Sequence, residues 1–310
     1  MKIVCVEPIG ISKEKAEIIK KEFVFLGHEF VFYYDRKEDE DSLKERMREA
    51  DIAIISNIKL SSEVLNACPN LKMLSIAFTG IDHIDLDYCK EKNIKIFNAS
   101  GYATVAVAEL TIGLIIDVYR HITSLDNITR KGGTRNNFLG RQLRGKKVGV
   151  IGTGAIGQEL IMILQAMGCD IIAWSRSERE EVKNNNVQYV SLQQLMKESD
   201  IISLHIPLTK ETNHLINKEL LSLCKKDAII INTSRGNVID MVALSECLKE
   251  ERIAGAGIDV FEIEPPLSQN HPLFNAPNCI VTPHIGYATR EAFDIRIDIV
   301  LDNVKSWLNC

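Results

Sequence analysis

Gly152, Gly154 and Gly157 stand in the stretch KKVGVIGTGAIG, Lys146 to Gly157, at a spacing that can cradle a pyrophosphate. Glycine-rich turns are common, so the flanks decide what this one does. Val148, Val150 and Ile151 make a short apolar strand ahead of Gly152, and Ala155 to Met167 reads as a helix with Ile156, Leu160, Ile163 and Leu164 on one face. In that setting each glycine has its own task. Gly152 permits a tight turn, Gly154 keeps side-chain atoms out of the way of the phosphates, and Gly157 lets the helix pack close to the strand. The N–H groups and positive dipole end of the new helix complete an anion site. Gly152, Gly154, Ala155, Ile156 and Gly157 are therefore expected to hold a dinucleotide.

The second strand of such a sheet normally ends in a carboxylate that takes the ribose 2′-hydroxyl, roughly 20 residues after the first glycine. Here the strand ends in Trp174, Ser175, Arg176 and Ser177, and Asp170 lies at its opposite end. With no carboxylate to repel it, a 2′-phosphate can be bound by Arg176 and by the hydroxyls of Ser175 and Ser177. This favours NADP(H) over NAD(H). The alternative is that Arg176 only stacks on the adenine of NAD.

Three further segments carry groups able to handle a proton and a carboxylate. INTSRGNVID places Arg235 just after a strand, GIDVFEIEPP places Glu264 after another, and VTPHIG places His284 at the end of a third short apolar run. Taken with GTGAIG, FTGIDHIDL and GYATVAVAEL, they resemble the D-isomer-specific 2-hydroxyacid dehydrogenases over nearly the whole chain, in that family's order. The resemblance implies that Arg235, Glu264 and His284 meet beside a nicotinamide. Reduction of a 2-keto acid needs a hydride at the carbonyl carbon and a proton at its oxygen, and histidine is the side chain best able to exchange that proton near neutral pH. His284 is then the acid and base, and Glu264 steadies its ring and its charge. Arg235 binds the substrate carboxylate in a fork and polarises the carbonyl.

The same resemblance assigns further residues. Thr79, Gly80 and Ile81 would offer backbone N–H groups to the substrate carboxylate, alongside Arg235 and His284. Thr104 and Thr233 would join the cofactor set, with Thr104 near the phosphates, His205 and Pro207 on the adenine side, and Asp259 near the nicotinamide carboxamide. Thr104 also reads as a helix cap and His205 as a buried strand-end residue. His83, His121, His214 and His271 have no partner pattern, and no set of Cys, His or carboxylate side chains has metal-ligand spacing.

ISNIKL, Ile55 to Leu60, occupies the strand end where phosphoglycerate dehydrogenases of this family tend to carry an arginine, and here it holds Ser56 and Asn57. The chain is similar instead to the glycerate dehydrogenase, glyoxylate and hydroxypyruvate reductase branch. Alternatives are D-3-phosphoglycerate, a branched 2-keto acid, or a dinucleotide-sensing corepressor-like role without turnover.

These residues need a scaffold that brings strand ends together. At 310 residues and 45% hydrophobic content the chain can bury two cores. Five strands, Lys2–Glu7, Glu29–Tyr34, Asp51–Asn57, Leu71–Ala77 and Lys95–Asn98, precede a long helical candidate from Thr104 to Arg130. Five more follow: Lys147–Ile151, Asp170–Trp174, Asp200–Ile206, Ala228–Asn232 and Ala254–Val260. Strand and helix alternation of this kind predicts an α/β protein of two doubly wound, Rossmann-like parallel sheets with an interdomain cleft. Residues 1–99 and 286–310 form the expected substrate domain and 100–285 the dinucleotide domain, with the Ala288–Leu308 helix returning to the first. A formal net charge of -5 with dispersed signs gives no footprint for nucleic acid. The charged long helix and a first segment that reads as a strand give no membrane span or leader. Eight scattered cysteines without a CxxC pair suit a reduced, cytoplasmic protein. The apolar girth of GYATVAVAELTIGLIIDVYR, and the family's use of that helix across a two-fold axis, predict a homodimer.

Overall fold

The apolar runs in the first hundred residues become five strands: β1 (Lys2–Cys5), β2 (Glu29–Phe32), β3 (Ile52–Ile55), β4 (Met73–Ile76) and β5 (Lys95–Asn98). In this computed structural model, which describes residues 1–263 and 266–309, they form one parallel sheet in the order β2-β1-β3-β4-β5. The strand order reverses between β1 and β3. All residues of β3 and β4 are buried, as strands covered by helices on both faces must be. Ser12, Asp39, Ser61 and Asp85 each start a helix by accepting a backbone N–H from three residues on. The C-terminal helix Arg290–Leu308, capped by Thr289, lies on this same sheet. Ser75 Oγ donates to Val300 O at 3.1 Å and Asn303 Nδ2 to Asn98 O at 3.2 Å.

The second sheet holds β6 (Lys147–Ile151), β7 (Asp170–Trp174), β8 (Gln188–Tyr189), β9 (Ile201–Leu204), β10 (Ile229–Asn232), β11 (Gly255–Ile258) and β12 (Cys279–Val281). Its order is β12-β11-β10-β9-β6-β7-β8, again all parallel. The chain winds outward from β6 through β7 to β8, then returns to β9 on the other side of β6. That reversal is the switch point outside which ligands of such sheets bind. The chain accordingly divides into two compact units, Met1–Ala103 with Ala288–Cys310 and Thr104–Tyr287.

Three elements differ from expectation, the first being β12, an edge strand beyond the five expected in this sheet. β8 is only two residues long, too short for any periodicity to announce it. The long helix is not continuous to Arg130: it runs Thr104–Arg120, breaks at His121, and resumes as Ile122–Arg130. His121 adopts a left-handed conformation, φ 51°. The Asp117 carboxylate holds the break by accepting the Thr123 backbone N–H at 2.9 Å and its hydroxyl, and the His121 ring packs on Phe138 at 4.3 Å. No apolar periodicity registers side-chain bonds of this kind.

Cys5, Cys68, Cys89, Cys169 and Cys247 are buried free thiols, and burial pushes those of Cys68 and Cys89 up to about 11. Among the described residues no helix is long and apolar enough to cross a membrane, and no cluster of three metal-binding side chains occurs.

Candidate active site

Because every strand of the second sheet points the same way, all its carboxyl ends share one edge. The loops leaving that edge carry the glycine turn, Ser175 to Ser177, His205 and Pro207, Thr233 to Arg235, Asp259, and the segment to His284. Gly152 sits at φ 100°, and a Cβ there would overlap the His205 carbonyl oxygen and come within 2.7 Å of Ile206. At Gly157 a Cβ would overlap Gly152 O, so the helix Ala155–Ala166 could not lie this close to β6. Gly154 is different: a Cβ there would meet nothing within 4 Å. It is the helix N-cap and supplies no side-chain oxygen, which leaves the first-turn N–H groups for an anion. These residues fit a dinucleotide pyrophosphate. At the end of β7, Ser175 is half-buried and Arg176 and Ser177 are exposed. The Glu211 carboxyl is held below its usual range, first by the Thr209 hydroxyl and in smaller part by the charge of Arg176.

Arg235 is carried by a turn that Asn232 builds. Fully buried at the end of β10, Asn232 donates from Nδ2 to Arg235 O at 2.9 Å and accepts from Ser234 N and Oγ at 3.0 and 2.9 Å. Arg235 Nη1 donates to Ser234 O at 2.8 Å. Thr233 faces the long helix. Since Thr111 gives its only hydroxyl proton to Val107 O at 2.7 Å, Thr233 Oγ1 donates to Thr111 Oγ1 at 3.0 Å. Its proton is thus committed within the fold. Thr104 opens that same helix as its first residue.

His284 lies on a tight turn at φ 54°, a conformation that a side-chain-bearing residue keeps only when its surroundings fix it. Asp259 fixes it. Its Oδ1 accepts from Thr282 Oγ1 at 2.6 Å and Ile285 N at 2.9 Å, its Oδ2 from Gly286 N at 2.8 Å, and its carbonyl oxygen from His284 N at 2.8 Å. The carboxylate is 1% exposed, and burial raises its pKa against the pull of those bonds and of the His284 charge. Three of its acceptor positions are therefore engaged by the turn. The His284 ring meets Tyr287 edge-on at 5.5 Å. Glu264 lies outside the described residues.

His205 follows β9, and its Nε2 shares a hydrogen with Ser203 Oγ at 2.7 Å. Burial lowers its pKa from 6.5 to about 4, so the ring is neutral at physiological pH. The unfolded chain takes up this proton near 6.5 and the folded one only near 4, so the stabilisation is complete above about 6.5 and is lost as pH falls towards 4. The full shift would carry roughly 3 kcal/mol; because water reaches part of the residue, a loss on the order of 2 kcal/mol is expected. Urea denaturation at pH 7 and 4.5 should show the His205→Asn variant losing less stability than the parent by that amount. Equal losses would remove His205 from the account. Pro207 is exposed and its carbonyl accepts from Thr212 Oγ1 at 2.7 Å.

In the first unit, β4 runs into Phe78, Thr79, Gly80 and Ile81. Ala99 N donates to Phe78 O at 3.1 Å and Asn98 Nδ2 to Thr79 O at 2.6 Å. In a trans peptide the N–H points opposite to the C=O, so the Thr79 and Gly80 N–H groups point away from β5. At the neighbouring ends of β1 and β3 sits a buried carboxylate the sequence reading missed. Glu7 accepts from Ser56 N at 2.7 Å and from the Arg36 guanidinium, which also donates to Asn57 Oδ1 at 2.9 Å and to Glu38 at 2.6 Å. Burial raises the Glu7 carboxyl, and Arg36 opposes that rise.

Residues 112–286 match the family model for the NAD-binding domain of D-isomer-specific 2-hydroxyacid dehydrogenases. A glyoxylate reductase of Thermococcus litoralis is 40% identical over 272 residues, covering 84% of this chain and 82% of the relative. The chain belongs to the D-isomer-specific 2-hydroxyacid dehydrogenase family. A hydroxypyruvate reductase of Thermotoga maritima is also 40% identical, over 82% of this chain and 83% of its own. Among solved structures, an acyclic imino acid reductase in complex with NADPH and D-Arg superposes with a TM-score of 0.90 at 33% identity, over 100% of this chain and 97% of that one. This dehydrogenase is thus an oxidoreductase acting on CH–OH donors with a nicotinamide cofactor, built from two parallel-sheet α/β domains.

Proposed function

We propose that this dehydrogenase reduces small 2-keto acids, glyoxylate and hydroxypyruvate, and that it prefers NADPH to NADH. The observation that carries the reading is that Arg235 and His284 stand on turns fixed by Asn232 and Asp259, at the sheet edge that also carries the glycine turn. The nicotinamide, when bound, supplies the hydride. Arg235 binds the substrate carboxylate together with the Thr79, Gly80 and Ile81 N–H groups and draws charge from the carbonyl. His284 delivers the proton to the carbonyl oxygen, with Glu264 as its partner. Gly152, Gly154, Ala155, Ile156 and Gly157, with Thr104, hold the phosphates; His205 and Pro207 border the adenine; Thr233 and Asp259 complete the cofactor set, Asp259 near the nicotinamide carboxamide. The preference for NADPH rests on Ser175, Arg176 and Ser177 at a strand end with no carboxylate.

Small unphosphorylated substrates are favoured because Ser56 and Asn57 follow β3 and the nearby Arg36 is already engaged by Glu7 and Glu38. The relatives named glyoxylate and hydroxypyruvate reductase support the same choice. A homodimer is part of the proposal: the helix Ile122–Arg130 buries none of its residues, while Ile122 and Leu139 are 52% and 82% exposed. The buried free thiols suit a cytoplasmic protein. Steady-state rates with NADPH and NADH against glyoxylate, hydroxypyruvate and its phosphate ester test the reading. NADPH-dependent turnover of the first two supports it. Faster turnover of the ester would assign the enzyme to phosphorylated substrates, and cofactor binding without turnover of any acid would favour a sensor. A single-chain mass by light scattering at micromolar concentration would remove the dimer.

A further inference from the structure

The loop that follows β7 is fastened to the glycine turn at both ends. At its near end, Gly152 N donates to Trp174 O at 2.7 Å. At its far end, Arg179 N donates to the Tyr189 hydroxyl at 3.1 Å, and that hydroxyl shares a hydrogen with Thr153 Oγ1 at 2.8 Å. Residues 175–178, the segment with Ser175, Arg176 and Ser177, therefore hang between two anchors, both of which lead to the first two residues of GTG.

The second anchor is itself well held. Thr153 is 1% exposed, and its carbonyl accepts from Gln158 Nε2 at 3.0 Å. Tyr189 pairs with Ala173 across the β7–β8 ladder, and Val190 N donates to Ala173 O at 2.9 Å. Arg179 is the N-cap residue of the short helix Glu180–Asn184, and its own backbone N–H is held by the Tyr189 hydroxyl. A phenylalanine would fill the same space and reach neither partner.

We infer that Tyr189 is a positioning residue for cofactor selectivity: its hydroxyl sets the distance between the loop that reads the ribose 2′-substituent and the turn that holds the pyrophosphate. The inference rests on the proposed use of that loop for a 2′-phosphate. Arg176 is exposed on a long side chain, so a charge-assisted contact to a phosphate needs a backbone already in place. The Arg179 carbonyl, which accepts from Val182 N and Lys183 N, and the Glu178–Lys183 ion pair still tie this end to the helix, so loss of the hydroxyl frees the loop from the glycine turn rather than from the fold. NADPH then loses affinity, whereas NADH, which makes no 2′-phosphate contact, does not.

Dissociation constants for NADPH and NADH, read by nucleotide fluorescence, test this on the parent and on Tyr189→Phe, Thr153→Val, Thr153→Ser and Arg176→Ala. Tyr189→Phe and Thr153→Val should each raise the NADPH constant about three- to tenfold, the range for one hydrogen bond, and leave the NADH constant within about twofold. Thr153→Ser, which keeps the hydroxyl, should restore NADPH binding. If Tyr189→Phe weakens both nucleotides equally, or neither, while Arg176→Ala weakens NADPH alone, the loop reads the phosphate without help from Tyr189 and the inference is overturned. If Arg176→Ala leaves NADPH binding unchanged, the 2′-phosphate reading itself falls, and the inference falls with it.

Discussion

His284→Asn is expected to lower kcat for 2-keto acid reduction by about 10²–10⁴-fold, the usual contribution of a positioned proton donor. Asparagine is the appropriate replacement because residue 284 sits at φ 54°, which asparagine adopts with little strain and most other side chains resist. The backbone bonds from residue 284 to Asp259 O and Thr282 O need only the main-chain N–H, so the turn should persist. The loss is then one of chemistry and not of folding. NADPH binding should stay within about threefold of the parent, and the limb of the pH–rate profile that reports the proton donor should vanish. Retention of kcat within tenfold would mean that another group, or water, delivers the proton.

The glycine turn was legible because its logic is local: a strand, three glycines and the start of a helix, all within the twelve positions Lys146–Gly157. The strands were legible for a similar reason, since buried parallel strands such as Ile229–Asn232 are unbroken apolar runs. Their ends were not, because pairing stops where a neighbouring strand stops: the run Asp200–Ile206 yields only Ile201–Leu204. Arg235 and His284 could be picked out by residue type and by their motifs, but the groups that orient them could not. Asp259 gives up most of its carboxylate to a turn more than twenty residues on, and Glu7 is buried beside Arg36 and Ser56 from two other strand ends. Tyr189 reaches Thr153 across 36 positions. Each depends on which strands become neighbours, and the order in the sheet is not the order in the chain. An asparagine or aspartate closing an apolar strand, as Asn232 and Asp259 do, is the one local sign that a turn was being built there.

Gly236→Ala should reach the active site from behind it. A Cβ at Gly236 would fall on the carbonyl group of Phe261 and within 2.5 Å of Glu262 N, all backbone atoms that cannot rotate aside. Gly236 is buried, opens the 3-10 turn Gly236–Val238 and directly follows Arg235, so the turn bearing Arg235 must move or the segment leaving β11 must. Overpacking of this kind costs about 1–3 kcal/mol, which in a chain of this size lowers Tm by several degrees. The larger effect should be on turnover: a shift of about 1 Å in a substrate-orienting group costs on the order of 10²-fold. Arg235→Ala separates the two consequences. It should lose at least as much kcat/KM while keeping Tm, because it removes the guanidinium and adds no atoms to the contact. If Gly236→Ala kept both Tm and kcat/KM, the two backbones would have room to part, and the close approach would not be what holds Arg235 in position.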